Sequence, residues 1–307
     1  MGANVGIGGP QVGWFDQQIA RRATAYLALT KIRIIELLLV TTVPTMFVAA
    51  KTVPSLGLVV ATLSGGTLAA AGANVSNMIY DRDIDAGMGR TKSRPLVTGA
   101  VSVREAVVFA IVLEAAAFAI FATTVNVLSG VLALGAAVFY LCVYTMWLKR
   151  RYPSNIVIGG AAGAMPPVIA WTAVTGRISI AAVLCFGLVF MWTPPHFWAL
   201  AVRYREDYAA VSVPMLPVVA DLDKVTKQIL GYTVIVLAVS IAIVPVAHLG
   251  GFYIVAAAGA GLWFGTRALL LRQNRDPSTA MRLFSASIIY LTVVFVAMGL
   301  DALIRHP

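Results

Sequence analysis

Asn77, Asp81 and Asp85 recur at steps of four residues at the end of a long apolar stretch. A helical step of four residues turns about 400°, so each side chain drifts only about 40° from the last and the three form one stripe. Asn74, three residues before Asn77, joins that face, whereas Asp83 points elsewhere, toward Arg82 or Arg90 of the following loop. Carboxylates this close to apolar sequence are costly unless they act on something. A stripe of hard oxygens can hold Mg²⁺, which binds through one or two carboxylates and the oxygens of a phosphorylated substrate. Asp81 and Asp85 are the expected metal ligands, with Asn77 completing the shell or positioning a water. The other reading of the cluster is a helix end neutralised by neighbouring arginines.

Three further groups could share that chemistry. Arg90, Lys92 and Arg94 follow at once, and cations beside a metal stabilise the charge that develops on a departing diphosphate. Pro95 stiffens the chain beside Arg94, the favoured phosphate contact. Lys149 closes one apolar stretch and Asn155 opens the next; Lys149 could reach a phosphate, and Asn155 could serve the site or simply cap a helix. In Trp192-Thr-Pro-Pro-His196-Phe-Trp198, His196 is the sole histidine inside an apolar stretch. If the helix continues, Arg203 and Asp207 fall within about 20° of the same line and form a second polar stripe. Pro194 and Pro195 are expected to kink that helix and widen a cavity. His196 could ligate an iron or help to position Asp207 and a water, and the sequence leaves both open.

The elements that must position these residues are membrane-spanning helices. The chain has 307 residues, of which 12% are charged, against about 25% in soluble domains; its mean hydropathy is +0.87. We read an all-α polytopic membrane protein with nine spans, at about 35–50, 56–79, 104–121, 124–145, 155–173, 179–200, 229–248, 252–271 and 284–303. The corresponding organisation is an N-terminal cytoplasmic segment, 1–30, partly flexible; one transmembrane domain, 31–303; and a short outer tail, 304–307.

The net charge of +10 could suggest nucleic acid, but the basic residues lie between apolar stretches and read as topology signals. Of 23 lysines and arginines, all but Lys51, Arg177 and Arg305 fall on one side, which is then cytoplasmic, with the N-terminus inside and the C-terminus outside. Cys142 and Cys185 are small apolar-stretch residues with no metal or disulfide spacing. Neither a signal peptide nor an Arg-rich presequence is evident, so a bacterial plasma membrane is the simpler location. Gly159, Gly160 and Gly163 suggest close helix packing, and Pro166-Pro167 a bend. A transporter with a coupling-ion stripe is the competing class; the acidic residues sit at the cytoplasmic ends rather than the midplane, and no inverted repeat is visible.

Several stretches carry a family resemblance. Asn74-Val-Ser-Asn77-Met-Ile-Tyr-Asp81-Arg-Asp-Ile-Asp85 and Met88-Gly-Arg90-Thr-Lys92-Ser-Arg94-Pro95, with Tyr144-Thr-Met-Trp-Leu-Lys149 and Asn155-Ile-Val-Ile-Gly159-Gly160, resemble the UbiA-type intramembrane prenyltransferases. Thr193-Pro-Pro-His196-Phe-Trp198 and Val213-Pro-Met-Leu-Pro217 resemble the heme-farnesylating branch, the protoheme IX farnesyltransferase (heme O synthase) family. The similarity runs from about Thr30 to Leu303. It implies nine helices around a central cavity open to the bilayer, with farnesyl diphosphate as donor, heme b as acceptor, heme O as product and Mg²⁺ as cofactor. It also implies transient contact with a heme A synthase or terminal oxidase, since the product feeds oxidase assembly. Asn74, Arg90, Lys92, Arg94, Asn155, His196 and Arg203 would hold the substrates. The superfamily's second Asp-xxx-Asp pattern is absent, because Val211 stands four residues after Asp207; Glu206, Asp207 and His196 occupy its region, and Asp207 is the candidate ligand of a further metal. A quinone- or chlorin-directed member of the superfamily is the near alternative.

Overall fold

The computed structural model describes residues 14–305, with the side chains of 14–16 and 33–39 outside the description. The protein is an all-α, polytopic membrane protein. In chain order the helices are α1 (Trp14–Thr30), α2 (Ile32–Ala50), α3 (Leu56–Tyr80), α4 (Arg82–Gly87), α5 (Pro95–Thr98), α6 (Val103–Ile120), α7 (Val127–Val138) and α8 (Asn155–Gly163). They continue as α9 (Pro166–Thr175), α10 (Ile180–Arg203), α11 (Arg205–Ala210), α12 (Leu216–Val219), α13 (Leu222–Val246), α14 (Gly251–Asn274) and α15 (Pro277–Arg305). Helices α6 and α7 run on as π-helical segments, Phe121–Val125 and Phe139–Leu148.

Among the described residues eight helices are long and apolar enough to cross a membrane: α3, α6 and α7 with their π-extensions, the α8–α9 pair, α10, α13, α14 and α15. Their bounds follow the expected spans, although α10, α13 and α15 extend further at their charged ends. The expected first span falls on α2, where the described apolar stretch, Val40–Ala50, is shorter. The segment expected to be partly flexible is helical from Trp14, and its end packs through Leu29 against Val75 and Met78 of α3. The tail expected from 304 is helical through Arg305; residues 1–13 and 306–307 lie outside the described residues.

The helices end where sequence chemistry ends them. Ser102 and Glu105 form a reciprocal capping box at the start of α6. Pro166 opens α9 at the position where proline's missing N–H costs nothing, so the expected bend is a break between α8 and α9. By contrast, α10 runs unbroken through Pro194 and Pro195 and ends at Tyr204. The Cα-side surface of Gly159 faces the Tyr144 ring and that of Gly160 faces Thr193, whereas Gly163 has open space and lines a cavity. In α15, a Cβ on Gly299 would lie 3.0 Å from the Pro44 backbone, so this glycine sets how closely α15 approaches α2.

Gly159→Ala should therefore lower stability by about 1–3 kcal/mol through overpacking against Tyr144. Gly163→Ala should not. Thermal unfolding of the two variants in the same detergent checks the contrast.

Candidate active site

Helix α3 stops at Tyr80, and Asp81 takes φ −84° and ψ 3°, the bridge region of backbone space. The hydrogen-bond ladder continues across the break, from Asp81 N–H to the Asn77 carbonyl at 2.9 Å and from Asp85 N–H to the Asp81 carbonyl at 2.8 Å. The expected stripe thus survives. Asn77, Asp81 and Asp85 are all buried, whereas Asp83 is exposed.

Each buried acceptor meets a cation at hydrogen-bond distance, and Asp81 has Arg150 at 3.8 Å as well. Arg94 pairs with Asp85 at 2.5 Å, and Lys149 pairs with Asp81 Oδ2. Lys31 Nζ donates to Asn77 Oδ1 at 2.8 Å. The Asn77 amide nitrogen in turn donates to Asp81 Oδ2 at 2.7 Å and to Thr145 at 3.1 Å. Asp83 turns to Arg150, which grips both its oxygens at 2.6 and 2.7 Å, rather than to Arg82 or Arg90. The distant loop supplies the better-placed fork, and that bond holds the Asp83 carboxyl below its usual range. Asp81 Oδ1 and Asn155 Oδ1 are buried with no hydrogen-bond partner.

Local backbone departures bring these groups together. The π-helical turn adds a residue per bond, so Lys149 N–H reaches the Tyr144 carbonyl at 2.8 Å and Thr145 Oγ1 reaches the Tyr140 carbonyl at 2.8 Å. Thr145 and Lys149 then face α3, with Tyr140 and Tyr144 stacked at 5.3 Å beside them. Asn155 is the first residue of α8 and not its cap; Ser154 occupies that position, and the Asn155 amide donates to the Lys149 carbonyl at 3.5 Å. Arg94 is brought in by a turn held from Thr91 Oγ1 to the Asp85 carbonyl, 2.8 Å.

The remaining expected residues sort differently. Asn74 donates to the Thr30 carbonyl at 3.1 Å and lines the cavity described below. Arg90 and Arg203 both lie over the Tyr204 ring, at 5.2 and 5.8 Å, and are exposed, as is Lys92. The second polar stripe does not form: α10 breaks at Tyr204, so the helical phase that would align Asp207 with His196 is lost. Asp207 sits near Gly89, and among the described residues no three acidic, histidine or cysteine groups gather as a metal cluster. His196 faces α15 instead, stacked between Trp192 and Phe284 at 4.1 and 4.5 Å, with Nδ1 2.7 Å from Ser287 Oγ. Ser287 gives its own proton to the Phe284 carbonyl at 2.6 Å. It therefore accepts from Nδ1–H, which leaves the lone pair on Nε2.

Lys31 is the residue the sequence reading counted only as a topology signal. It links α1 to α2 in the left-handed region, φ 53°. Burial and the charges of Arg94 and Lys149 press its amine down to about 7, against the opposing pull of Asp81 and Asp85. Nothing in local sequence marks it, because its partner is 46 residues away. Beside the charged cluster an apolar cavity opens between α2, α3, α7 and α9, lined by Thr42, Gly66, Ala73, Asn74, Tyr140 and Ile169 among others.

The UbiA prenyltransferase family matches residues 38–296. A protoheme IX farnesyltransferase of Frankia casuarinae is 53% identical over 290 residues, covering 93% of this chain and 100% of the relative. One from Streptomyces coelicolor is 50% identical, covering 92% of each. Among solved structures, digeranylgeranylglyceryl phosphate synthase superposes with a TM-score of 0.75 at 18% identity, over 92% of this chain and 98% of that one. A UbiA homolog from Archaeoglobus fulgidus bound to DMAPP and Mg²⁺ gives 0.66 at 20% identity, over 89% and 98%.

Lys149→Met should strand the fully buried Asp81 charge and cost about 3 kcal/mol. Adding Asp81→Asn should recover most of that stability, since a neutral amide needs no counter-ion. Thermal unfolding of the single and double variants measures both effects; a second substitution that deepens the loss would contradict the pairing.

Proposed function

The chain belongs to the UbiA prenyltransferase family, and we propose that it transfers the farnesyl group of farnesyl diphosphate to a vinyl group of heme b, with addition of water, giving heme O and diphosphate. The observation that carries the donor chemistry is the buried Asp81–Asp85 pair, matched by cations, beside an apolar cavity. The acceptor follows from relatives of 49–53% identity that bear the heme farnesyltransferase name over more than nine-tenths of their length.

The donor set fits Mg²⁺. It consists of hard oxygens, two of them carboxylates, and Asp81 Oδ1 lies buried without a hydrogen-bond partner, with Arg150 3.8 Å away. Among the described residues no third acidic, histidine or cysteine group gathers with the two carboxylates, which suits an ion that takes its remaining ligands from phosphate and water. Asp81 and Asp85 would hold it, with Asn77 and Asn155 beside them; when bound it would draw charge from the diphosphate and ease cleavage of the C1–O bond. Asp207, near Gly89, would be the ligand of a further Mg²⁺.

The chain's own groups supply the rest. Arg94 and Lys149 neutralise the departing diphosphate, and Arg90, Lys92 and Arg203 surround its entrance at the cytoplasmic face. The apolar walls around Gly66, Ala73 and Ile169 take the isoprenoid and keep water from the allylic cation. The vinyl π-electrons of heme b form the new bond to C1 of that cation. Water then adds to the carbocation beside the porphyrin and releases a proton, giving the hydroxyethylfarnesyl group. A vinyl carbon is a weak nucleophile, so the shielding and alignment of the cation decide the rate. His196, fixed through Nδ1 and clamped by two rings, turns Nε2 to the acceptor side.

Counting α2, the chain makes nine spans around this cavity in a bacterial cell membrane. The N-terminus and the loops of Asp81 and Asp207 face the cytoplasm, and the C-terminus faces outside, as the charge distribution requires.

Purified protein with heme b, farnesyl diphosphate and Mg²⁺ should yield a heme heavier by farnesyl plus water, read by liquid chromatography and mass spectrometry and lost with EDTA. Asp81→Asn should abolish that product while leaving the protein folded; retained turnover with ordinary Mg²⁺ dependence would overturn the metal assignment. His196→Ala should weaken heme b binding and alter its absorption spectrum, and an unchanged titration would remove His196 from the acceptor site.

A further inference from the structure

We propose that Lys31 is a diphosphate-binding residue parked on Asn77, which leaves Asn77 for a phosphate oxygen when the donor binds. This rests on the donor reading given above. Three observations lead to it. First, among the described residues five other than glycine have positive φ: Lys31, Lys51, Ser212, His248 and Arg275. Four of them are exposed; Lys31 alone turns a half-buried side chain inward. A left-handed link between two helices is ordinarily a glycine or asparagine position, because a Cβ is strained there. What sets Lys31 apart from the exposed Lys51 and Arg275 is the contact of its ammonium with the buried Asn77.

Second, the link is anchored for this purpose. Asn74 holds the Thr30 carbonyl at 3.1 Å, and one turn later Asn77 receives Lys31 Nζ at 2.8 Å. Two asparagines of α3 therefore fix the residue before Lys31 and the end of its side chain. Third, each acceptor has its own nearest cation: Lys31 for Asn77, Lys149 for Asp81, which also has Arg150 at 3.8 Å, and Arg94 for Asp85. Asn77 is neutral, so it is the weakest counterpart of the three, and Lys31 is pressed by burial and by the neighbouring Arg94 and Lys149. An ammonium so placed gains more from a multiply charged diphosphate than from an amide oxygen. Its departure also releases Asn77 Oδ1, the one oxygen of that side chain, toward the site centre.

The test is calorimetric binding of a non-hydrolysable donor, farnesyl thiodiphosphate with Mg²⁺, to the full chain in detergent. Lys31→Met should weaken binding about 10- to 100-fold, the loss of a charge-assisted hydrogen bond. Lys31→Arg should recover part of it. Lys31→Asn keeps the left-handed link comfortable while removing the charge, and should weaken binding as much as the methionine variant with an unchanged melting temperature. Asn77→Ala separates contact from positioning. If Lys31 touches the diphosphate, Lys31→Met/Asn77→Ala binds more weakly than Asn77→Ala alone by a similar factor. Equal binding by those two proteins, or wild-type affinity in Lys31→Asn, would overturn the proposal and leave Lys31 as a strap. If the wild type itself does not bind the analogue, or Asp81→Asn binds it as well as wild type, the donor reading fails and the Lys31 contact with it.

Discussion

The structure is organised around a fully buried carboxylate, Asp81, at the end of a membrane helix. Moving that charge out of water costs several kcal/mol, and the cost is met only by close partners with good geometry. Lys149, Asn77 and the more distant Arg150 at 3.8 Å supply them. Two of these partners come from the link between α7 and α8 and one from the preceding turn of α3, so the charge ties three membrane helices together at one end. Asp85 repeats the arrangement with Arg94 from the following loop. Groups held this way are preorganised: their orientation is set before any ligand arrives, which is what transition-state stabilisation needs.

Regular helices would not have assembled this set. The break at Asp81 lets the chain turn after Tyr80 while keeping its hydrogen-bond ladder. The π-helical stretch rotates Thr145 and Lys149 onto the face of α3. The left-handed Lys31 carries α1 into α2 with its ammonium inside. All three departures from ideal geometry converge on Asn77 and Asp81, and strained or widened backbone is commonly found at functional sites for this reason. Apolar walls begin one turn away at Asn74 and Tyr140, so the charged and oily halves of the site are adjoining faces of the same helices.

His196 belongs to a separate arrangement, on the α10–α15 side of the bundle. Its ring lies between two aromatic faces, and one nitrogen is committed to Ser287, 91 residues away. That commitment selects the tautomer and aims the other nitrogen. The rigid packing of Trp192, Phe284 and Ser287 does for His196 what the ion pairs do for Asp81.

The sequence by itself determined the class of protein, the spans after the first to within seven residues, and the residue types of the site. Hydropathy and the spacing of Asn77, Asp81 and Asp85 are local properties, written into stretches shorter than one helix. The capping box at Ser102 and the break at Pro166 were decided locally in the same way. Tertiary structure alone decided which cation meets which carboxylate. Arg150 rather than Arg82 or Arg90 took Asp83, Lys31 joined the site across 46 residues, and Lys149 reached Asp81 across 68. The alignment of His196 with Asp207 required α10 to run on beyond Tyr204, but the helix ends there and Asp207 belongs to α11, beside Gly89. Helical periodicity predicts neighbours within a few turns of one helix. Contacts between helices depend on where whole cylinders come to rest, and that is settled by the burial of many side chains at once rather than by any one motif.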